Sequence, residues 1–389
     1  MAEPKIGIIG AGGIAPSHIE GFLAAGAEVV AIANRTLSKA QSLAARYAIP
    51  LVCSSLDEML AKAGPLDAVA IAAPTFMHAP LAVQALRAGL HVFCEKPPAL
   101  NSHETEAMAD AAARAGKVLM FNFNNRARPE AQAMMEFIQR GGVGRINSAQ
   151  AAWVRQMGIP GYGGWFTNKK YAGGGAMIDL IHMADLALYF MDFPKPDYVL
   201  ASNFYNFQHD EAFRSDYGEQ IEAASSSGGQ QAVMDVETAC HAMVTFKTGQ
   251  CLMIRSSWAE MVERERASVT FQGAWAGGTL ERIFSTQGGP LVADTTDGLG
   301  RAAADNGKNS YIDRCKLFVL DNGKIIERPL VFGAGQDDMG RRANVANFVK
   351  TVRGEARPLN TPNQAVRLMK IIDAIYESAA TKQPVSVAG

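Results

Sequence analysis

The sequence is short of several things that would decide its function early. Its 389 residues contain five cysteines (Cys53, Cys94, Cys240, Cys251, Cys315), odd in number and far apart, with no C-x-x-C pair. That spacing argues against a zinc site and a disulfide framework, and buried free thiols in a reducing cytoplasm are the simplest account. The seven histidines form no tract, so no metal is expected. No apolar run is long enough to cross a bilayer. The start, Met1-Ala2-Glu3-Pro4-Lys5, carries no basic-then-apolar leader, so a cytoplasmic protein is expected. A formal net charge of -1 gives no general attraction to nucleic acid or an anionic membrane.

What is present is an ordinary globular balance, 48% hydrophobic and 19% charged. The chain exceeds the usual size of one core, so two domains are expected, 1–125 and 126–389, with C-terminal helices able to pack back on the first. The first third alternates short apolar runs with helical stretches: strands at Lys5–Ile9, Glu28–Ala33, Leu51–Cys53, Asp67–Ala73, His91–Cys94 and Lys117–Phe121. Such alternation predicts right-handed crossovers and a doubly wound parallel sheet. A helix starting from a Ser38 cap follows the second strand. Beyond Asn125 come a helix over Pro129–Arg140 and a helix over Ala176–Met191. The strands Ile146–Gln156, Tyr198–Phe204, Thr238–Phe246, Gln250–Ser257, Ala267–Phe271 and Lys316–Leu320 follow with few helices between them, which predicts an open, mainly antiparallel sheet in an α+β domain. Two closing helices are expected near Met339–Arg353 and Pro362–Ala380. Gln208–Ala232 and Ser285–Asn309 read as long irregular loops, either functional lids or solvated excursions.

The first strand runs into Gly10-Ala11-Gly12-Gly13-Ile14-Ala15 and then a helix. Gly10 suits a tight turn. Gly12, without a Cβ, lets backbone approach a pyrophosphate, and Ala15 replaces the third glycine where close helix–strand packing needs a small residue. The helix start at Gly13 and Ile14 offers N–H groups and partial positive charge to phosphates. After the second strand stands Asn34-Arg35-Thr36, where NAD-specific sites place an acidic residue. Asn34 does not repel a 2′-phosphate, Arg35 can pair with one and Thr36 can donate to one. The cofactor expectation is therefore NAD or NADP, leaning to NADP.

At Glu95-Lys96-Pro97 the sequence resembles the glucose–fructose oxidoreductase / inositol dehydrogenase / rhizopine-catabolism (Gfo/Idh/MocA) family. The resemblance runs through Gly10–Ala15, Ala73-Pro74-Thr75 with His78, Asn125-Arg126 with Pro129, and Gly173-Gly174-Gly175. It continues through His182-Met183-Ala184-Asp185, Thr361-Pro362 and Asp373–Ser378. It implies a Rossmann domain joined to an open-faced sheet domain whose face often packs on another subunit, hence a homodimer or homotetramer. It also implies hydride transfer between nicotinamide and a hydroxyl-bearing carbon of a sugar or cyclitol. In that reading Ala73, Pro74, Thr75, His78, Glu95 and Lys96 join the cofactor site, and Pro97 fixes a turn through a cis bond. Lys96 bonds the reacting hydroxyl and stabilises a developing alkoxide. His182 is the expected general acid/base, since histidine titrates near neutral pH. A lone lysine in a loop is ordinarily solvated and a lone helical histidine ordinarily structural; their motifs favour function here.

The family pattern puts an aspartate four residues before that histidine, whereas here Asp179 precedes His182 by three. Either a helix irregularity absorbs the difference or the role of Asp179 has changed. Asp185 is placed to orient His182 or to bond locally. Trp165 and Tyr171 suit a sugar's C–H faces. Lys169 and Lys170 suit an anionic substituent, though two solvated surface lysines fit equally. Asn122, Asn124, Arg126 and Arg155 complete the candidate substrate set. Two further functions stay open: a glycosidase that oxidises the ring transiently, eliminates the aglycone and returns the hydride, and a non-catalytic redox sensor.

Overall fold

The computed structural model describes residues 3–161, 164–215, 233–284, 301–305, 309–330, 332 and 339–387. The chain divides into two compact units, Met1–Ala127 with Asp338–Met369, and Arg128–Asp337 with Lys370–Gly389. The first unit thus takes back residues from near the C-terminus.

Its six strands are β1 (Lys5–Ile9), β2 (Glu28–Ala33), β3 (Leu51–Cys53), β4 (Ala68–Ile71), β5 (His91–Cys94) and β6 (Leu119–Phe121). All pair in parallel, in the order β3-β2-β1-β4-β5-β6. Strands β2 and β4 are rich in Val, Ile and Ala and buried on both faces, as helix-covered parallel sheets require. Helices α1 (Ala15–Ala24), α2 (Leu37–Tyr47), α3 (Leu56–Lys62), α4 (His78–Arg87) and α5 (Ser102–Ala115) make the crossovers. Helix α2 begins one residue before the expected Ser38 cap, with Thr36 in the N-cap position and no side-chain cap bond. The strand order reverses between β1 and β4, the place where such sheets bind ligands beyond their carboxyl ends.

In the second unit, α6 (Pro129–Gln139) precedes β7 (Ile146–Val154), and three short helices follow: α7 (Lys169–Ala172), α8 (Ala176–Asp179) and α9 (His182–Phe190). Then come β8 (Pro196–Phe204), β9 (Ala239–Phe246), β10 (Cys251–Ser257), β11 (Arg266–Gly273), β12 (Ala276–Phe284), β13 (Arg301–Asp305), β14 (Asn309–Asp321) and β15 (Lys324–Pro329). With β16 (Val385–Ser386) they form one mixed sheet, antiparallel except where β7 meets β10. Strands β12, β13, β15 and β16 are additions to the expected set. Most of the two irregular stretches, 216–232, 285–300 and 306–308, lies outside the described residues, but β13 falls inside the second.

Period-two burial runs along β9, β10 and β11, and α8 and α9 pack against the covered face. The other face carries exposed Tyr198, Leu200, Phe204, Met243 and Met253, with Leu200, Met243 and Met253 in register across three strands. Helix α10 (Arg341–Val352) returns to the first unit, where Val345 packs on Gly21 of α1 and Phe348 joins Phe22 and Phe93 in an aromatic cluster. The last helix, α11 (Pro362–Thr381), follows. Among the described residues no helix is long and apolar enough to cross a membrane.

Candidate functional site

In the first unit the chemistry gathers at the carboxyl ends of β1, β4 and β5. Gly10 leaves β1 at φ +105°, and a Cβ there would lie 2.4 Å from the Ala72 carbonyl oxygen. Only glycine takes that turn so close to the β4 end. Gly12 is the opposite case: a Cβ would meet nothing within 4 Å, and the residue is exposed. Helix α1 then starts at Ala15, with Ile14 in the N-cap position and no side-chain cap. A glycine facing open space beside an uncapped helix start fits a dinucleotide pyrophosphate. The two glycines therefore separate experimentally. Gly10→Ala is expected to cost about 2 kcal/mol or more in folding stability. Gly12→Ala should leave the thermal midpoint of the free protein almost unchanged while weakening dinucleotide binding at least about tenfold, a loss of roughly 1.4 kcal/mol. Thermal melts and NADH fluorescence titration read both.

Asn34 is stitched into this turn: its Oδ1 accepts the Ala11 N–H at 3.1 Å and its Nδ2 donates to Thr36 O at 2.9 Å. Arg35 and Thr36 are exposed. Ala73 and Pro74 are half-buried and Thr75 is buried at the β4 end. His78 is buried with Nδ1 2.8 Å from Pro97 O and Nε2 2.9 Å from Ala73 O. Both neighbours are acceptors, whereas a neutral imidazole has one N–H. Burial lowers the His78 pKa against the opposing pull of those carbonyls, so the neutral ring donates to one carbonyl at a time. Its place is between two loops, fastening Pro97 to the β4 turn, and both its nitrogens already face protein carbonyls.

Glu95 is buried at the end of β5. Its Oε1 lies 2.7 Å from His18 Nε2 and accepts from Asn122 Nδ2 at 2.7 Å, while Oε2 accepts the Lys96 backbone N–H at 3.0 Å. Burial alone would raise its pKa, but the contact with His18 and the Asn122 bond hold it at about 2. A depressed carboxyl contributes stability that is full above its unfolded pKa, near 4.5, and lost as pH falls through about 2. That contribution is on the order of 3 kcal/mol. Glu95→Gln is therefore expected to flatten the acid side of the stability curve between those two values, as urea titrations across that range would show.

Lys96 is half-buried and follows directly, through a cis Lys96–Pro97 bond. Three members of the expected substrate set bond to the scaffold. Asn122 gives its amide nitrogen to Glu95, and its Oδ1 accepts from Asn344 at 3.0 Å. Arg126 is fully buried, and its Nη1 donates to Leu359 O at 2.9 Å and Gln364 Oε1 at 2.7 Å. Asn124, also buried, donates to Met339 O. These groups stay where they are because a buried guanidinium or amide must be hydrogen-bonded, and partners from the returning C-terminal stretch supply the bonds.

The second unit has its own polar cluster around α7–α9. The expected single helix over Ala176–Met191 is broken: α8 ends at Asp179, Leu180 turns out at φ −90° and ψ 22°, and α9 starts at His182. This break sits where the Asp179–His182 spacing is one residue short. Glu237 holds the approach. Its carboxylate accepts the N–H groups of Gly175 (3.0 Å) and Met177 (2.9 Å) and the Tyr376 hydroxyl (2.9 Å). Burial raises the Glu237 pKa, opposed by those bonds, and burial with the Glu237 charge pushes Tyr376 well up. The glycine run is needed by this packing: a Cβ at Gly174 would lie 1.9 Å from the Tyr376 hydroxyl, and one at Gly175 2.0 Å from Glu237 O.

Asp179 Oδ2 accepts the Trp258 indole N–H at 2.9 Å and lies 3.8 Å from Arg155 Nη1. Arg155 Nε is 3.6 Å from Glu265 Oε1, which also accepts from Trp153 Nε1 at 3.1 Å. The His182 ring lies 6.0 Å from that of Trp153. Asp179, His182 and Arg155 therefore share one neighbourhood, and Asp185 is buried on α9. Lys169 lies over the Tyr376 ring and Lys170 over Tyr171, while Trp165 stacks on Phe166. Of the glycine-aromatic segment before α7, Tyr162 and Gly163 lie outside the described residues. Sequence reasoning misses Trp153, Trp258, Glu237, Glu265 and Tyr376. The two tryptophans at strand ends carry a signal, since a buried indole N–H needs a partner, and Tyr376 lies in the Asp373–Ser378 stretch of the resemblance.

A glycine turn at the switch point of a 3-2-1-4-5-6 parallel sheet, with a lysine after β5, defines a dinucleotide-binding oxidoreductase of two units. The chain belongs to the Gfo/Idh/MocA oxidoreductase family: residues 4–123 match its NAD-binding Rossmann fold and residues 135–387 its C-terminal alpha/beta domain. It is 29% identical over 383 residues, 97% of this chain and 95% of the relative, to the D-glucoside 3-dehydrogenase of Escherichia coli K12. It is 32% identical over 181 residues, 46% of this chain and 54% of the relative, to the 1,5-anhydro-D-fructose reductase of Ensifer adhaerens. Its fold resembles that of a levoglucosan dehydrogenase solved with NADH and L-sorbose, with a TM-score of 0.78, 20% identity and full coverage of both chains.

Proposed function

We propose that this protein is an NAD(P)-dependent dehydrogenase or reductase of a sugar, cyclitol or glycoside. The observation that carries the reading is the pairing of Gly10 and Gly12. One is demanded by the protein's own packing, while the other faces open space beside an uncapped helix start, where it serves only a ligand. Support for a carbohydrate comes from relatives named as a glucoside dehydrogenase and an anhydrofructose reductase.

Gly10, Gly12, Gly13 and Ile14 would hold the pyrophosphate, Asn34, Arg35 and Thr36 the adenosine ribose, and Ala73, Pro74 and Thr75 would line the rest of the dinucleotide site. Nicotinamide, when bound, supplies the hydride acceptor or donor. Lys96 bonds the reacting hydroxyl and stabilises negative charge on its oxygen as the C–H bond breaks. His182 exchanges the hydroxyl proton. Asp179, fixed by Trp258, holds Arg155 beside it, and both accept or donate to ring hydroxyls. The exposed Arg35, with no acid at Asn34, favours NADP over NAD. The apolar row on the open sheet face is a contact between copies of the chain, in a homodimer or homotetramer.

The test is the absorbance of reduced nicotinamide with NAD or NADP and a panel of sugars, cyclitols and glycosides, with aglycone release followed in parallel. Reduction by one substrate class establishes the dehydrogenase. Aglycone release without net reduction replaces it with the oxidise–eliminate–reduce glycosidase, and dinucleotide binding without either reaction leaves the sensor.

A further inference from the structure

His18 lies in the first turns of α1, immediately after the glycine turn, and is 1% exposed. Its ring stands edge-on to Phe93 of β5, with centroids 5.5 Å apart and planes at 78°, so packing fixes its direction. Its Nε2 meets Glu95 Oε1 at 2.7 Å. The same oxygen takes the Asn122 amide, whose own oxygen is held by Asn344, and the second carboxylate oxygen takes the main-chain N–H of Lys96. The Glu95 carboxylate is thus tied to three places: the start of the phosphate-facing helix, the end of β6, and the backbone of the lysine.

A histidine buried only for packing needs some acceptor, and a carbonyl would serve. A buried carboxylate is a costly choice, because removing a charge from water is offset only by good partners. Here the carboxylate spreads its bonds over two oxygens: one meets His18 of α1 and the Asn122 amide, the other takes the Lys96 N–H. We propose that His18 is a positioning residue for Lys96, acting through the Glu95 carboxylate and linking the start of α1 to the lysine. This rests on the proposed function, in which the glycine turn holds pyrophosphate and Lys96 acts on the hydroxyl. Seating phosphates at the head of α1 then also seats the lysine.

The test compares His18→Leu, which removes the donor, with His18→Gln, whose amide nitrogen replaces Nε2. The first readout needs neither cofactor nor substrate: the rate at which acetic anhydride labels the Lys96 amine, followed by mass spectrometry of the free protein. His18→Leu should change that rate at least about threefold while the other lysines keep theirs, and His18→Gln should restore it. In turnover, His18→Leu should lower kcat about 10- to 100-fold with the NADH Kd changed less than about threefold, and should cost nothing further in a Lys96→Met background. Should His18→Leu not fold, His18→Asn, with a shorter donor, is read against His18→Gln in the same assays. Unchanged Lys96 labelling, or an undiminished penalty in the Lys96→Met background, overturns the proposal. If Lys96→Met alone leaves kcat intact, the role of Lys96 itself fails, whereas altered labelling in His18→Leu would still stand as a separate result.

Discussion

Replacing His182 with alanine is expected to lower kcat by about 10²–10⁴ while leaving NADH binding within about twofold of the parent. Lys96→Met should lower kcat by about 10²–10³, the usual cost of removing one donor to a developing oxyanion. The two residues are assigned different jobs, one exchanging a proton and the other holding charge, so their replacement should be separable. A small exogenous base such as imidazole can stand in for a missing proton acceptor and should recover part of the His182→Ala loss. It should recover none of the Lys96→Met loss. Stopped-flow nicotinamide absorbance on the two variants, with and without imidazole, decides this. Equal recovery in both, or kcat unchanged in either, would sink the assignment of roles. The helix break supports the choice of His182: it opens α9, and its ring lies beside Trp153 in the neighbourhood that contains Asp179 and Arg155.

The second large effect falls on stability. Gly175→Ala places a methyl group 2.0 Å from the Glu237 carbonyl oxygen, which is backbone and cannot swing aside. Moving it disturbs the carboxylate of the same residue, which holds the Gly175 and Met177 N–H groups and the Tyr376 hydroxyl. The expected cost is about 3 kcal/mol or more, with kcat falling too because α8 carries Asp179. Tyr376→Phe serves as a measure of the network without the clash. It removes one donor from Glu237 and should cost only about 1–2 kcal/mol. Urea unfolding of the three proteins ranks them. A Gly175→Ala protein as stable as the parent would show that the glycine run is not set by this packing.

Part of this site is legible in the order of the residues alone. Gly10–Ala15 is contiguous, and a phosphate-binding turn needs small residues at fixed offsets where a strand becomes a helix, so its chemistry is written in adjacent positions. Lys96 is legible through the resemblance of its tripeptide, Glu95-Lys96-Pro97 after a strand, to the family pattern. His182 stands out beside its glycine run, although the unbroken helix expected there does not form: Glu237, some sixty residues away, caps Gly175 and Met177 at the start of α8, which ends at Asp179, and a second helix begins at His182. Asn122 and Arg126 have partners that are not legible in that way. Their position after β6 suggests a substrate role, yet Asn344, Leu359 and Gln364 come back from the far end of the chain and bind them.

The parallel first unit, the open second sheet and the glycine turn are properties of the sequence, because each follows from periodicity or from residues a few positions apart, whereas the lysine and histidine are singled out by the family resemblance of their motifs. What holds them is set by tertiary packing: His18 on Glu95, Trp258 on Asp179, and Glu237 under the glycine run. A buried polar group must find a partner, but the partner is chosen by how the strands and returning helices pack, and nothing in the spacing of a motif records that choice.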